Sequence, residues 1–138
     1  MTHFALKYIG LPWEAGAQGP NSFDCWGLVR YVLKHEYGHD VPQVNVNPEC
    51  LRDVLQAFRR NLAFTAFVEV PYPRDGDVVL MRQAKNPVHA GIWLDVDGGG
   101  VLHCCRNSGV VFQDIASLNL CGWFLHSYYR VKDSLYSV

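Results

Sequence analysis

The sequence carries no surplus of either charge. Twelve lysines and arginines stand against thirteen acidic residues, a formal net charge of −1. That excludes the basic face expected of a nucleic-acid binder. Charged residues are few, at 18 %, and hydrophobic residues reach 49 %, so the chain is not of the disordered class. No apolar run approaches the roughly 20 residues of a membrane span, and membrane insertion is not expected. Paired cysteine spacing is absent too. The five cysteines, Cys25, Cys50, Cys104, Cys105 and Cys121, are odd in number and form no Cys-x-x-Cys. A disulfide framework is therefore not expected, and folding in a reducing compartment is. The first residues, Met1 to Lys7, lack the basic-then-apolar pattern of a signal peptide. Synthesis in the cytosol is the expectation. With no repeat, linker or low-complexity tract, residues 1–138 are expected to form one domain.

What is present is centred on Asn21-Ser22-Phe23-Asp24-Cys25-Trp26-Gly27-Leu28-Val29-Arg30. Leu28, Val29, Val32 and Leu33 recur at helical spacing, and Asn21, Ser22 and Asp24 are good N-cap residues just ahead of them. The spacing predicts a helix with Cys25 in its first turn, ending near Tyr37-Gly38. Free N–H groups and the helix dipole favour a thiolate there. His3 to Ile9 reads as a short helix or an extended arm. Asn47-Pro48 opens a second predicted helix with Leu51, Val54, Leu55 and Phe58 on one stripe. Short strands follow: Phe64 to Val70, Val78 to Met81, Val88 to Leu94, Val101 to Cys105 and Val110 to Gln113. A helical turn at Ile115 to Leu120 and a last strand, Gly122 to Val131, close the chain. Helices first and a meander afterwards predict an α+β domain with an antiparallel sheet.

A thiolate nucleophile needs an imidazole to hold its proton and a third polar group to orient that imidazole. Of six histidines, His35 and His39 lie at the far end of the cysteine helix, roughly 15 Å away by helical rise. His89 and His103 lie on consecutive predicted strands, where a rigid base and orienter would be built. They share a sheet face only if their hairpin loop is odd-numbered or bulged. Gly91, on the His89 face, leaves room for another element to approach.

At this point the sequence resembles the NlpC/P60 family of papain-like cysteine peptidases. Tyr8-Ile9-Gly10-Leu11-Pro12-Trp13 with Gly16 is similar to the family's upstream element, and Phe23-Asp24-Cys25-Trp26-Gly27-Leu28-Val29 to its nucleophile motif. Gly76-Asp77-Val78-Val79 resembles the opening of a core strand, and His89-Ala90-Gly91-Ile92-Trp93-Leu94 the base motif. The resemblance implies Cys25 as nucleophile, His89 as general base and acid, and His103 as orienting group. It also implies the Cys25 backbone N–H as an oxyanion donor, and Tyr8, Asp24 and Trp26 as substrate contacts. Family members hydrolyse peptide bonds in bacterial cell-wall stems, so peptidoglycan stem peptides are the expected substrate and no cofactor is expected. Trp26 stands where the family commonly has a small serine, which bears on specificity near the scissile bond. The His89-to-His103 interval exceeds the family's by about two residues, an even number that preserves face parity.

The Asp24-to-Arg30 form of the motif resembles the branch found in tailed-phage tail tips. It implies a virion protein with tail-tip or baseplate partners, made in the host cytoplasm and acting at the host envelope. Two other functions compete: a structural tail-tip subunit with an idle site, and a cysteine amidase or acyltransferase acting on a non-wall substrate. Among plainer readings, His103-Cys104-Cys105 with Cys121 and His126 suggests zinc. Adjacent strand residues point to opposite faces, however, so a closed four-ligand site is not expected. Gly98-Gly99-Gly100 reads as a turn, the remaining cysteines as structural, and Trp123, Tyr128 and Tyr129 as core and sheet surface.

Overall fold

Asp24 starts the principal helix. In the computed structural model, which describes residues 3–41, 67–85 and 87–132, helix α1 spans Cys25–Tyr37. Asp24 is its N-cap, with Oδ1 accepting the Gly27 N–H at 2.6 Å and Oδ2 accepting the Gly16 N–H at 3.1 Å. Gly38 closes the helix at φ 74°. The four residues whose spacing predicted the buried stripe, Leu28, Val29, Val32 and Leu33, are fully buried. Gly27 is required by close approach: a Cβ there would strike the Ala17 carbonyl oxygen and lie 2.9 Å from Asp24 Oδ1. The loop before the helix is thus pressed onto its first turn. Upstream, Phe4–Lys7 forms a short 3-10 helix, the first of the two forms expected there.

The strands are β1 (Phe67–Val70), β2 (Val78–Arg82), β3 (Pro87–Leu94), β4 (Gly100–Cys105), β5 (Gly109–Gln113) and β6 (Phe124–Val131). A helical turn, α2 (Ile115–Leu120), joins β5 to β6. The strands form one six-stranded sheet in the order β1-β6-β2-β3-β4-β5, every neighbouring pair antiparallel. The class is α+β, as the helix-then-meander pattern predicts. The helix expected from Asn47-Pro48, and Cys50 within it, lie outside the described residues, as do Phe64 and Asn86.

Strand alternation sorts the sheet into two faces. Val78, Leu80, Ala90, Ile92, Leu94, Leu102 and Cys104 pack with Leu28, Val29, Val32 and Leu33 of α1. Val79, Met81, Trp93 and Val101 face the other way and are covered by Leu118 of α2 with Trp123 and Leu125. An ion pair ties neighbouring strands: Arg130 of β6 grips Asp77, just before β2, through Nε to Oδ1 at 2.9 Å and Nη2 to Oδ2 at 2.7 Å. Asp77 Oδ2 also accepts the Arg74 N–H at 2.7 Å, so the acid in the Gly76-Asp77 turn fixes where β2 begins.

The β3–β4 register runs Gly91↔His103, Ile92↔Leu102, Trp93↔Val101 and Leu94↔Gly100. The loop between them, Asp95 to Gly99, is odd-numbered, and His89 therefore shares a face with His103. Gly91 lies directly across from His103. A Cβ at that position would sit 2.9 Å from His103 Cβ and 2.8 Å from the Leu102 carbonyl oxygen. Backbone blocks relief, so Gly91→Ala is expected to cost about 2 kcal/mol, within the usual range for overpacking. Chemical denaturation of the folded variant checks this; an unchanged midpoint would show that β4 yields freely.

Candidate active site

Cys25 is held from three directions. Asp24 anchors the turn before it, and the Phe23 N–H donates to the Pro12 carbonyl at 3.1 Å. From the sheet, Cys104 Sγ donates to the Phe23 carbonyl at 3.3 Å. The β3–β4 register starts only at Gly91, and the preceding N–H, that of Ala90, serves the sulfur of Cys25 instead. The nucleophile candidate thus meets the backbone of β3 at Ala90, the residue after His89. Both are enclosed, with exposures of 1 % for Cys25 and 2 % for His89.

The imidazole of His89 belongs to a chain of hydrogen bonds. Its Nε2 lies 2.9 Å from His103 Nδ1, and His103 Nε2 lies 2.8 Å from Gln113 Oε1. The Gln113 amide is oriented by its own Nε2, which donates to Cys121 Sγ at 3.3 Å. These partners fix the tautomers in sequence. The carbonyl of Gln113 only accepts, so His103 carries its proton on Nε2 and offers a lone pair at Nδ1, which faces His89 Nε2 at 2.9 Å and Cys105 Sγ at 3.2 Å. His89 then donates from Nε2, which leaves the lone pair on its Nδ1. That nitrogen is buried and has no hydrogen-bond partner, Cys25 Sγ included. It is the nitrogen a general base would use. Trp123 stacks on the same ring, with centroids 4.6 Å apart and planes 24° from parallel, and shields one face from water.

Electrostatics depart from the thiolate expected at a helix start. Burial pushes the Cys25 thiol up to about 12, and the neighbouring Asp24 charge adds to this. Hydrogen bonds from the Ala90 and Trp26 backbones act the other way and do not compensate. His89 is held well below the usual imidazole value by burial and then by His103. His103 is lowered by burial against a smaller opposing effect of its bond to Gln113. The resting pair is a neutral thiol beside a neutral imidazole. Desolvation outweighs the helix dipole here, because the dipole contributes only about 1 kcal/mol at a helix end.

Two buried neutral histidines have a consequence for stability. In the unfolded chain each takes a proton near pH 6.5, whereas in the fold each stays neutral to lower pH. The unfolded state thus binds more protons as pH falls. The stabilisation is complete above about 6.5 and is lost below it, at up to about 1.4 kcal/mol per pH unit for each histidine. Melting temperature is expected to drop between pH 7 and pH 5, and His89→Gln should flatten that drop. Parallel curves for parent and variant would contradict the burial of a neutral His89.

The three expected substrate contacts sit elsewhere. Tyr8 is buried among Phe4, Phe23 and Tyr31, and its hydroxyl donates to Glu36 Oε2 at 2.6 Å near the far end of α1. Asp24 has both oxygens engaged by backbone N–H groups. Trp26 is a core residue, its indole edge-to-face with Phe67 at 6.3 Å. Tyr8, Asp24 and Trp26 are all buried, and the partners just named tie each of them into the fold around α1. The open space reaches His89 and not Cys25. A cavity of about 560 Å³ is lined by His89, Trp123, Gln113, Cys105, Arg106 and Trp13, among others. Sequence reasoning missed Gln113 and the stacking of Trp123. Gln113 could have been found by carrying face parity through the next hairpin: Val111 pairs with His103, and Gln113 is two residues further on the same face.

A cysteine at the head of a helix, beside a histidine whose second nitrogen is held by another polar side chain, defines the cysteine–histidine class of hydrolytic site. The chain belongs to the NlpC/P60 family: the family's sequence model matches residues 10–128. Among curated proteins it is similar to "Probable endopeptidase p60" of Listeria grayi, 27 % identical over 127 residues, covering 92 % of this chain and 21 % of that protein. It is also similar to "Protein P54" of Enterococcus faecium, 29 % identical over 99 residues, covering 72 % of this chain and 16 % of that one. The chain therefore spans only about a fifth of the length of these curated relatives. The solved NlpC/p60 domain of the peptidoglycan hydrolase SagA shares the fold, with a TM-score of 0.60, 23 % identity, and coverage of 91 % of this chain and 92 % of that one.

Proposed function

We propose that this protein is a cell-wall cysteine endopeptidase that cleaves peptidoglycan stem peptides through an acyl-cysteine. The observation that carries the reading is the His89–His103–Gln113 chain, which leaves His89 Nδ1 without a hydrogen-bond partner on the residue next to Ala90, whose backbone N–H meets the Cys25 sulfur. Family membership supports the substrate class. As Cys25 Sγ attacks the carbonyl carbon, Nδ1 takes the thiol proton and the imidazolium is steadied through its Nε2–H to His103. The Cys25 backbone N–H is the expected donor to the oxyanion. The leaving amine then takes the proton back from Nδ1. Water, deprotonated by the same nitrogen, releases the acyl group and restores the thiol. Cys25, His89 and His103 are the catalytic residues in this reading.

Incubation of the protein and its Cys25→Ala variant with purified stem peptides of several types tests this. Cleavage by the parent alone, with the fragment mass trapped on Cys25, supports it. Absence of cleavage by the folded parent across all peptides sinks it. We further propose carriage in a phage tail tip, supported by the Asp24-to-Arg30 form of the motif. Detection of the chain in purified virions, with Cys25→Ala particles that assemble but penetrate poorly, is the expected result. The near-complete enclosure of Cys25 favours one competing reading, a structural tail-tip subunit with an idle site. In that case Cys25→Ala particles would infect as the parent does.

A further inference from the structure

One sulfur reaches the same His103 nitrogen that holds His89. Cys105 follows His103 by two residues on β4, so the two share a face, the one on which His89 also lies. Cys105 Sγ lies 3.2 Å from His103 Nδ1, which is itself 2.9 Å from His89 Nε2. The ligating atoms of the three residues all fall within 4.8 Å of one another. This arrangement was not legible as a metal site, because the sequence has no Cys-x-x-Cys; it pairs residues i and i+2 of one strand with a residue of the next.

We propose that His89, His103 and Cys105 form a three-ligand site for a thiophilic divalent cation such as Zn²⁺, and that its occupation switches the catalytic base off. Two nitrogens and a thiolate are the donor set of zinc rather than of magnesium or calcium. Around a tetrahedral zinc the N···N and N···S edges are about 3.4 and 3.6 Å, so the His89–His103 separation needs to open by about 0.5 Å and the His103–Cys105 separation by about 0.4 Å, while His89 and Cys105 lie within 4.8 Å of each other. His103 is already prepared as a ligand: its Nδ1 lone pair faces the other two groups while its Nε2–H is held by Gln113, the usual outer support of a metal-bound histidine. The cavity lined by His89, Cys105, Gln113 and Cys121 gives the ion a route in and leaves room for a water or Cys121 in the fourth position.

The switch follows from proton positions. Metal binding releases the Cys105 thiol proton to solvent and leaves the thiolate on the ion. His89 must offer the lone pair of Nε2, so its proton moves to Nδ1. That is the nitrogen whose lone pair has to accept the Cys25 proton in catalysis. One imidazole cannot serve both, and the metal-bound state is catalytically closed.

The binding half of the proposal stands without any peptidase activity; the inhibitory half rests on the proposed function. The experiment uses full-length Cys25→Ala protein, stripped of metal and titrated with Zn²⁺ against a chromogenic chelator and with Co²⁺ by absorption. One equivalent of Zn²⁺ and a thiolate-to-cobalt charge-transfer band are expected. Adding Cys105→Ser, or independently Cys105→Ala, should abolish the band and weaken Zn²⁺ binding by at least about tenfold, with circular dichroism verifying the fold. An unchanged band or stoichiometry in either folded double variant overturns the proposal. With Cys25 present, stem-peptide cleavage should be inhibited by Zn²⁺ and restored by chelator. Each Cys105 variant, normalised to its own metal-free rate, should lose that sensitivity. Equal inhibition with and without Cys105 overturns the switch. No cleavage by the metal-free parent, with Cys105-dependent cobalt binding intact, overturns the peptidase reading and leaves the site standing.

Discussion

His89→Gln is expected to yield a folded protein whose kcat/KM for stem-peptide cleavage is lower by about 10⁴-fold. The size follows from the resting state of the thiol. With burial pushing Cys25 up to about 12, the thiol rests protonated at pH 7. Attack therefore depends on removing the proton during the step. A glutamine side chain can still donate to His103 Nδ1, replacing the His89 Nε2–H that lies 2.9 Å away, but it has no nitrogen lone pair to receive the proton. The hydrogen-bond chain survives while the base is gone. Steady-state cleavage assays at pH 7, with far-UV circular dichroism and a melting curve on the same sample, separate this from unfolding. A variant retaining a tenth of the parent's rate would mean that a standing thiolate does the work and that Cys25 is far more acidic than its enclosure implies. A rise in variant activity with pH is also expected, because hydroxide progressively supplies what the imidazole no longer does.

The nucleophile helix was legible in the sequence because its signals are local. Asp24 as N-cap, Gly38 as C-cap and the Leu28/Val29/Val32/Leu33 stripe depend only on neighbours in the chain. The strands after Phe67 were legible by alternation and turn residues. The His89/His103 pairing followed from loop parity, which the odd loop Asp95 to Gly99 satisfies. Residues whose roles depend on burial depth were not legible. Tyr8, Asp24 and Trp26 sit beside the motif in sequence, but proximity along a chain does not say which way a side chain turns once the helix is pressed on the sheet. The thiol's charge state failed for the same reason: the helix dipole is a local signal, and the desolvation that overrides it is a property of the assembled core. The Asp77–Arg130 pair spans 53 residues and had no local signature at all.

The neutral resting pair also explains why so much of the fold is spent on tautomers. A thiolate–imidazolium pair is held together by charge, and either nitrogen arrangement is enforced by the ions themselves. A neutral pair has no such guide, and a wrongly placed proton on His89 leaves the ring oriented but useless as a base. Specification has to come from outside, through partners that can only accept or only donate.

Gln113 is that outside partner, and Gln113→Leu is expected to lower kcat by about 10²-fold with KM nearly unchanged. Leucine keeps the bulk beside Cys121 but removes the oxygen 2.8 Å from His103 Nε2. His103 is then free to carry its proton on Nδ1. In that form it donates to His89 Nε2, and His89 must hold its own proton on Nδ1, with no lone pair to offer Cys25. The loss is smaller than for His89→Gln because the productive tautomer remains one of two accessible arrangements. Gln113→Glu separates this from a packing defect: a carboxylate also only accepts, so the same tautomers are enforced and activity should return to within a few-fold of the parent. It should also raise the pH at which His103 protonates, since a negative charge replaces a neutral carbonyl. Nitrogen-15 shifts of the two imidazoles read the tautomers directly. The parent and Gln113→Glu should show protonated Nε2 on both rings, and Gln113→Leu a population with protonated Nδ1. Equal losses in the leucine and glutamate variants, with unchanged imidazole shifts, would reduce Gln113 to a packing residue.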